Sequence, residues 1–131
     1  MTSRLVFAAL VALLLFAGSL VAHHSAAAAY DTSKKITLTG KVTNLEWKNP
    51  HVFYYLDVTD ASGTVTNWAI EGSTPNQLYR NGWRKNDLKT GDVVTVANSS
   101  PARNGQPKAY GGTVTMPDGR KVFSGSAATD Q

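Results

Sequence analysis

The side chains best suited to chemistry in this sequence are its three histidines, His23, His24 and His51. The first two are adjacent in the stretch LVAHHSAAAAY at residues 20–30, and the third directly follows Asn49-Pro50. Imidazole is the commonest metal-ligating side chain in proteins. We therefore treat the pair and the single histidine as candidate ligands of one metal site, which the fold would have to assemble.

The chemistry of His23 depends on whether it is the first residue of the mature chain. A free α-amine and the Nδ1 of the same histidine can chelate one ion, an arrangement called a histidine brace. The α-amine ordinarily has a pKa of about 7.7–8.0, so a metal can displace its proton near neutral pH. A further imidazole from His24 or His51 would complete a nitrogen-rich site of the kind that Cu(II) prefers. In the alternative interpretation, the terminal histidines are solvated polar residues and His51 only caps a turn.

The first part of the chain has the pattern of a secretory signal peptide. Arg4 precedes an apolar run from Leu5 to Ala22, and small residues follow it. We expect cleavage after Ala22, which makes His23 the first residue, whereas cleavage after Ala28 would remove both terminal histidines. An uncleaved transmembrane anchor is the alternative, since the run has roughly the minimum spanning length of ~18 residues. With cleavage, the protein is periplasmic or secreted and keeps no stable membrane span.

Composition narrows the partners and the reactions. The 131 residues have room for one domain, and the formal charge of +4 falls to +3 when Arg4 is removed. Basic residues form no cluster that would follow a phosphate backbone, so nucleic acid is not an expected partner. The lack of cysteine excludes disulfides, thiolate metal sites and cysteine nucleophiles, and it suits a bacterial periplasmic domain. The sequence contains no serine-nucleophile or phosphate-loop template, so we do not expect an enzyme.

The segment from Ile36 onward must position these residues, and its first half has the pattern of three strands. Apolar residues alternate in ITLTGKV, and Gly40 together with the phase slip after Val42 indicates a bent, bulged strand. HVFYYLDV, residues 51–58, is the strongest strand pattern, and DASG turns the chain into TVTNWAI, residues 64–70. The second and third strands should therefore form a hairpin.

A short helix and further strands follow the hairpin. Thr74 and Gln77 form a capping box, with Pro75 at the first helical position. Gly82 suits the end of this helix. The remaining elements are the helix over about Pro75 to Asn81, a fourth strand through VVTV, a loop from Asn98 to Pro107, a fifth strand from Lys108 to Met116 and a short sixth from Lys121 to Phe123.

This order of elements predicts an all-β fold: a small, OB-fold-like β-barrel with one short α-helix between strands three and four. The helix between the third and fourth strands distinguishes this prediction from other small barrels. The chain then divides into a signal peptide at 1–22, an N-terminal arm at 23–35, the barrel domain at 36–123 and a disordered tail at 124–131.

A second candidate site lies on the predicted hairpin. Phe53, Tyr55 and Trp68 could form the face of strands two and three, on which OB-folds bind oligosaccharides, peptides or bases. The module would then dock a periplasmic protein, a glycan or another small ligand without a metal. The alternative is that these rings help to close the core of a small barrel.

The motifs assembled so far resemble a family of small exported bacterial proteins that has no established activity. They are AHHS at the signal-peptide junction, TLTGKVTNLEWKNPHVFYYLDVTDASGTVTNWAIE, GWRKNDLKTGDVVTV and GGTVTMPDGRKVF. This chain departs from the family pattern at Ala26, where an aromatic residue usually follows HHS and where Tyr30 comes later, and at Thr90, where proline is common. The resemblance implies export, an OB-like fold and HHS at the start of the mature chain, but no particular chemistry.

Overall fold

The computed structural model describes residues 26–123 and, at Phe123, the backbone alone. Its main elements are strands joined by loops, with one helix among them, and a helical turn at residues 26–29 precedes them. In chain order they are β1 (Ile36–Glu46), β2 (Phe53–Thr59), β3 (Val65–Glu71), α1 (Pro75–Arg80), β4 (Val93–Pro101), β5 (Lys108–Tyr110), β6 (Thr113–Thr115) and β7 (Lys121–Phe123).

Five of these strands close into a barrel. The sheet runs in the order β1-β2-β3-β5-β4, and β1 also pairs with β4, which joins the two edges. Only the β3–β5 pairing is parallel within this ring. A closed five-stranded barrel with one helix between β3 and β4 is an OB-fold-like architecture, so the predicted fold class is confirmed. The strands β6 and β7 continue from β4 as an antiparallel hairpin.

The first strand serves both halves of the barrel because it bends, as its sequence predicts. Its register with β2 shifts between Val42 and Asn44, which places a bulge directly after Val42. At Gly40 the neighbouring backbone comes very close: a Cβ there would lie 2.6 Å from the Asp57 carbonyl oxygen. Glycine is therefore required where β1 passes from β2 to β4.

The barrel interior is filled by one face of each strand. In β2 the side chains of Tyr54 and Leu56 are fully buried, whereas their neighbours Phe53 and Tyr55 are half-buried on the outer face. Trp83, from the loop after α1, is also fully buried and contacts the Tyr54 ring edge-on at 5.5 Å between ring centroids. This alternation sets which side chains of the β2–β3 hairpin remain available to solvent.

Helix α1 begins at Pro75 with Thr74 as its N-cap, as predicted, but the Gln77 side chain donates to Asn81 Oδ1 at 3.5 Å and does not complete the predicted capping box. The backbone N–H of Gln77 donates to the Thr74 hydroxyl at 3.2 Å, which is the expected N-cap bond. Gly82 follows the helix at φ +90°, the conformation that ends many helices. None of the helices within residues 26–123 is long and apolar enough to cross a membrane.

The predicted loop from Asn98 to Pro107 is wrong in its first part, because β4 continues to Pro101. Asn98, at φ 62°, lies where the register between β1 and β4 shifts. Beyond it Ser99 and Ser100 are buried, and both hydroxyls have partners: Ser99 Oγ donates to the Gly111 carbonyl at 2.6 Å. Lys35 Nζ donates to Ser100 Oγ at 3.1 Å. The polar composition of this segment predicted a loop. Hydrogen bonds of the two serine hydroxyls allow it to form a buried strand instead.

The predicted fifth strand is divided in two. Gly111 and Gly112 both have positive φ, at 68° and 103°, and they separate β5 from β6. A Cβ on Gly112 would lie 2.6 Å from the Ala97 carbonyl oxygen, so the bend requires glycine there. The bend allows β5 to pair with β3 while β6 stays on β4.

Candidate functional site

Four side chains meet beside the open end of the β2–β3 hairpin, and we call them the His51 cluster: His51, Glu71, Tyr30 and Tyr110. His51 Nδ1 lies 2.5 Å from Glu71 Oε1. The Tyr30 hydroxyl donates to the other carboxylate oxygen, Oε2, at 2.7 Å. The rings of Tyr30 and Tyr110 stack with 5.5 Å between centroids. His51 and Tyr30 lie 20 and 41 positions before Glu71 in the chain, and both therefore bond to its carboxylate.

Strand register brings His51 and Glu71 together. Glu71, the last residue of β3, is paired with Phe53, and His51 precedes Phe53 by two residues. Diagonal neighbours of this kind on one sheet face are within reach of long side chains. The backbone of Val52 continues the ladder, because Val52 N–H donates to the Ser73 carbonyl at 3.0 Å. His51 is therefore held at a fixed distance from Glu71 although it lies outside β2 itself.

The N-terminal arm reaches the same place through backbone hydrogen bonds. Tyr30 forms an isolated antiparallel bridge with Ala102, and Asp31 N–H donates to the Pro101 carbonyl at 2.8 Å. From the other side, Arg103 donates its N–H to the Ala29 carbonyl at 3.0 Å and its Nε–H to the Ala27 carbonyl at 3.0 Å. The arm is thus docked along the end of β4, with the Tyr30 side chain turned into the His51 cluster.

Tyr30 and Glu71 are largely withdrawn from water, whereas His51 is more open. Tyr30 is 7% exposed, and the side chains of Glu71 and His51 are 16% and 36% exposed. Burial, together with the hydrogen bond to Glu71 and its negative charge, raises the pKa of Tyr30 well above its usual value. Burial and the Glu71 charge also raise the pKa of Tyr110. Both phenols consequently stay neutral donors over the physiological range.

His51 keeps one ring nitrogen that can engage a ligand. Its Nδ1 is occupied by Glu71, and its Nε2 makes no hydrogen bond to any residue between 26 and 123. Within that same part of the chain, no three histidine, aspartate or glutamate side chains lie close enough to hold a metal ion. His51 with Glu71 therefore forms a pair to which further donors would have to be added.

The other predicted metal ligands, His23 and His24, lie outside the described residues. The chain segment that carries them enters the described region at Ala26, in the helical turn just before Tyr30. Ala26 is tied to Tyr30, because its carbonyl accepts the Tyr30 N–H at 2.8 Å. Of the three predicted histidine ligands, the structure therefore places one, and it anchors the segment next to the other two.

The predicted aromatic face is only partly assembled. Phe53 and Tyr55 lie on the outer face of β2, as expected from their alternation. Trp68 is paired directly opposite the buried Leu56, and it packs against the hydrophobic core. Trp68 thus lies on the inner side of the sheet and is not brought together with Phe53 and Tyr55.

Polar side chains surround the two outer rings. The Tyr55 hydroxyl donates to Glu46 Oε1 at 3.2 Å, and Lys48 lies 2.6 Å from Glu46 Oε2. The hydrogen bond and charge of Lys48 lower the pKa of the Glu46 carboxyl. Further along the face, Asn67 Nδ2 donates to Asp57 Oδ1 at 2.8 Å. The result is an outer face with two aromatic rings and paired polar groups, next to the His51 cluster.

Sequence reasoning missed Glu71 and Tyr30 as members of the site. The signal for Glu71 was its place at the end of the third strand: a tight DASG turn fixes the hairpin register and so predicts its neighbour on the second strand. The signal for Tyr30 was the displaced aromatic after HHS. The Glu71 signal predicts a neighbour on the second strand but no hydrogen bond, and the Tyr30 contact depends on the arm folding back onto the barrel.

The comparisons with known proteins concern the whole of this region. No curated protein and no solved structure matches the chain. One family model matches residues 11–111, a stretch that contains His23, His24 and every member of the His51 cluster. The chain therefore belongs to DUF6152, a family of unknown function.

Proposed function

We propose that this protein is an exported metal-binding module that holds Cu(II) through His23 and His51, with His24 assisting. His23 contributes its α-amine and Nδ1, which requires that it be the first residue of the mature chain. His51 contributes its unoccupied ring nitrogen. No reaction is assigned to the site, because the chemistry of these side chains accounts for binding and for nothing further.

The observation that carries this proposal is the docking of the arm beside His51. Tyr30 and His51 bond to the two oxygens of one carboxylate, that of Glu71. The segment that bears the other histidines therefore starts from a point fixed next to His51. A freely moving N-terminus would give no reason to connect the histidines at 23 and 24 with a third one at 51.

Chain length keeps the terminal histidines near this point. His23 precedes Ala26 by three residues, so its Cα lies within about 10 Å of the Ala26 Cα even if the chain is extended. Ala26 is itself one helical turn, or about 6 Å, from Tyr30. This short connection to the docked arm supports a site shared with His51, whose side chain is 36% exposed.

The donor set suits Cu(II) better than the harder or softer metals. It comprises an amine and imidazoles, with no thiolate anywhere in the chain. Nitrogen-rich sets of this kind favour copper in near-square geometry, whereas Mg²⁺ and Ca²⁺ require oxygen ligands. The negative charge of Glu71 beside His51 further favours a cation at this position.

The first experiment determines the mature N-terminus. We expect intact-mass analysis of the chain exported by a bacterial host to give a protein that starts at His23. A mature protein starting at Ala29 would lack both terminal histidines and would contradict the proposal directly. A full-length mass with the apolar segment retained would contradict it equally, because His23 would then have no free amine.

The second experiment measures Cu(II) affinity by competition titration. We expect His51→Ala to weaken binding by at least about tenfold, the loss of one ligand, while an exposed β3 control, Thr66→Ala, leaves it unchanged. A chain acetylated on the His23 α-amine keeps every imidazole but removes the amine as a ligand. It should also bind copper more weakly, and equal affinity in all four chains would reject the site.

A second candidate function is supported by the outer face of β2. Phe53 and Tyr55 are half-buried there and are surrounded by the polar groups of Glu46, Lys48 and Asp57. Such a face can bind a glycan or a peptide by ring stacking and hydrogen bonding, without a metal. Its aromatic content is smaller than the sequence indicated, because Trp68 points into the core.

A chelator distinguishes this second candidate function from copper binding. If the face is the binding site, Phe53→Ala and Tyr55→Ala should abolish retention on a glycan or peptide array, with and without chelator, while folding stays intact. Retention that requires added copper and disappears in His51→Ala would instead favour the metal-binding function.

A further inference from the structure

Glu71 is bonded on both carboxylate oxygens, which is more than a metal site built on His51 alone requires. One oxygen faces His51 Nδ1 and the other accepts the Tyr30 hydroxyl. The backbone of Glu71 is also tied, because its carbonyl accepts the Gly111 N–H at 2.9 Å and its strand pairs with β2 and β5. Glu71 is therefore held in position by its main chain and by both oxygens of its carboxylate.

When His51 is neutral, this arrangement determines which ring nitrogen carries its single proton. An ionised carboxylate can only accept hydrogen bonds, so the ring nitrogen that faces it must be the donor. A neutral imidazole has a single N–H, and placing it on Nδ1 leaves Nε2 with a free lone pair. Nε2 has no hydrogen-bond partner in the part of the chain that the structure describes.

We propose that Glu71 is a positioning residue that holds His51 as the Nδ1-protonated tautomer, with Nε2 free to ligate a metal, and that Tyr30 holds Glu71 in place. The part that concerns the metal rests on the proposed function, whereas the tautomer is a property of the protein without metal. Histidine ligands commonly donate their second N–H to a carboxylate, which orients the ring and increases its basicity.

Glu71 does not need to touch the metal in this arrangement. Its side chain is only 16% exposed, and both oxygens already have partners. Releasing Oε2 would leave the buried Tyr30 hydroxyl without its acceptor, and releasing Oε1 would leave His51 Nδ1 without a partner. Glu71 therefore acts through His51, and Tyr30 couples the same carboxylate to the docked arm.

The test combines a tautomer measurement with copper titration on the exported protein. Nitrogen NMR of the labelled imidazole rings is recorded without metal at about pH 8, above the ordinary histidine pKa of about 6.5. The variants are Glu71→Gln and Tyr30→Phe. The matched control is Glu46→Gln, because Glu46 also accepts a tyrosine hydroxyl, that of Tyr55, but forms its ion pair with Lys48 and not with His51.

In the wild-type chain we expect His51 to be protonated on Nδ1 and unprotonated on Nε2. Glu71→Gln should convert His51 to a mixture of tautomers and weaken Cu(II) binding by about 10–100-fold, the usual effect of losing such a partner. Tyr30→Phe should keep the tautomer but weaken binding by a smaller factor. Glu46→Gln should match the wild type in both measurements.

The outcomes distinguish this inference from the proposed function. A wild-type His51 protonated on Nε2 overturns the inference whatever copper does, and this readout requires no variant to fold. Tight copper binding that Glu71→Gln leaves unchanged also overturns it, while the metal site stands. An Nδ1-protonated His51 in a protein that binds no copper rejects the metal site but supports the positioning role of Glu71.

Discussion

Glu71 connects three segments that are far apart in the chain: the arm through Tyr30, the approach to β2 through His51, and β5 through its backbone. His51 could be identified from its type alone, because the chain has only three histidines. A carboxylate at the end of a strand carries no such signal, and its role appears only when the hairpin register and the arm are both known.

The environment of the Tyr30 hydroxyl leads to a prediction about stability at alkaline pH. Burial and the Glu71 charge raise the pKa of Tyr30 above its unfolded value of 10.0, so the unfolded chain ionises first as pH rises. The stability that this contributes is fully present below pH 10 and is lost as the pH rises toward the folded pKa. We expect Tyr30→Phe to cost about 1–2 kcal/mol at neutral pH and to flatten the alkaline loss, measured by urea unfolding.

Tyr79 provides the control for this measurement. Its side chain is 58% exposed, and its ring lies under Arg84 at 3.7 Å, a contact that phenylalanine retains. Tyr79→Phe should leave the stability at neutral pH as in the wild type. Equal effects of the two substitutions would contradict the buried Tyr30–Glu71 bond.

At the level of elements, local patterns predicted most of the strands and failed where long-range contacts decide. The bend of β1, the β2–β3 hairpin and the start of α1 follow from alternation, glycine and capping residues, which are local features. The extension of β4 through Ser99 and Ser100 depends on partners in other elements, so composition alone indicated a loop. The break between β5 and β6 likewise depends on what each half pairs with.

Gly40 tests the account of β1. A Cβ at this position would lie 2.6 Å from the Asp57 carbonyl oxygen, which is backbone and cannot move freely. We expect Gly40→Ala to destabilise the barrel by about 1–3 kcal/mol, the usual cost of overpacking. The control is Thr37→Ala, an exposed position in the same strand that should change the free energy of unfolding by less than about 0.5 kcal/mol.

The β6–β7 hairpin is tied to the loop after α1 by an ion pair. Arg120 lies 2.9 Å from Asp87, and although partial burial opposes the effect, the Arg120 bond lowers the pKa of the Asp87 carboxyl. A lowered folded pKa contributes stability above the unfolded value of 3.8, and this is lost as pH falls through the folded pKa. Asp87→Asn should therefore lower the urea midpoint at pH near 7, with the difference disappearing in acid.

Asp118 is the matched control for this pair. It lies 3.7 Å from Arg120, its side chain is 63% exposed, and the asparagine oxygen can still accept the Arg120 N–H. Asp118→Asn should therefore alter stability by less than about 0.5 kcal/mol at neutral pH. If both variants behave alike, the Asp87 pair does not hold the hairpin.

At the scale of the whole molecule, the barrel and the docked arm have separate tasks. The core lies between Leu38 and Val122, so the barrel does not need the arm to be filled. The arm adds hydrogen bonds along the end of β4 and places Tyr30 in the His51 cluster. The order of strands and helix predicted this barrel, but nothing local in the sequence predicted where the arm docks.

A chain that starts at Ala29 separates the two tasks. It retains the whole barrel but lacks His23, His24 and the Ala27 carbonyl that holds Arg103. We expect it to fold, with a β-rich circular dichroism spectrum like that of the wild type, and to bind Cu(II) at least about 100-fold more weakly because several ligands are lost. Undiminished copper binding by this chain would show that the terminal histidines are not ligands.

The most direct test of the proposed metal site is electron paramagnetic resonance of one equivalent of Cu(II) on a chain prepared with His23 as its first residue. We expect the wild-type spectrum to be that of Cu(II) in near-square geometry with mostly nitrogen ligands. The His51→Ala spectrum should lack the coupling to one imidazole. An identical spectrum in the two proteins would contradict the claim that the docked arm and His51 form one metal site.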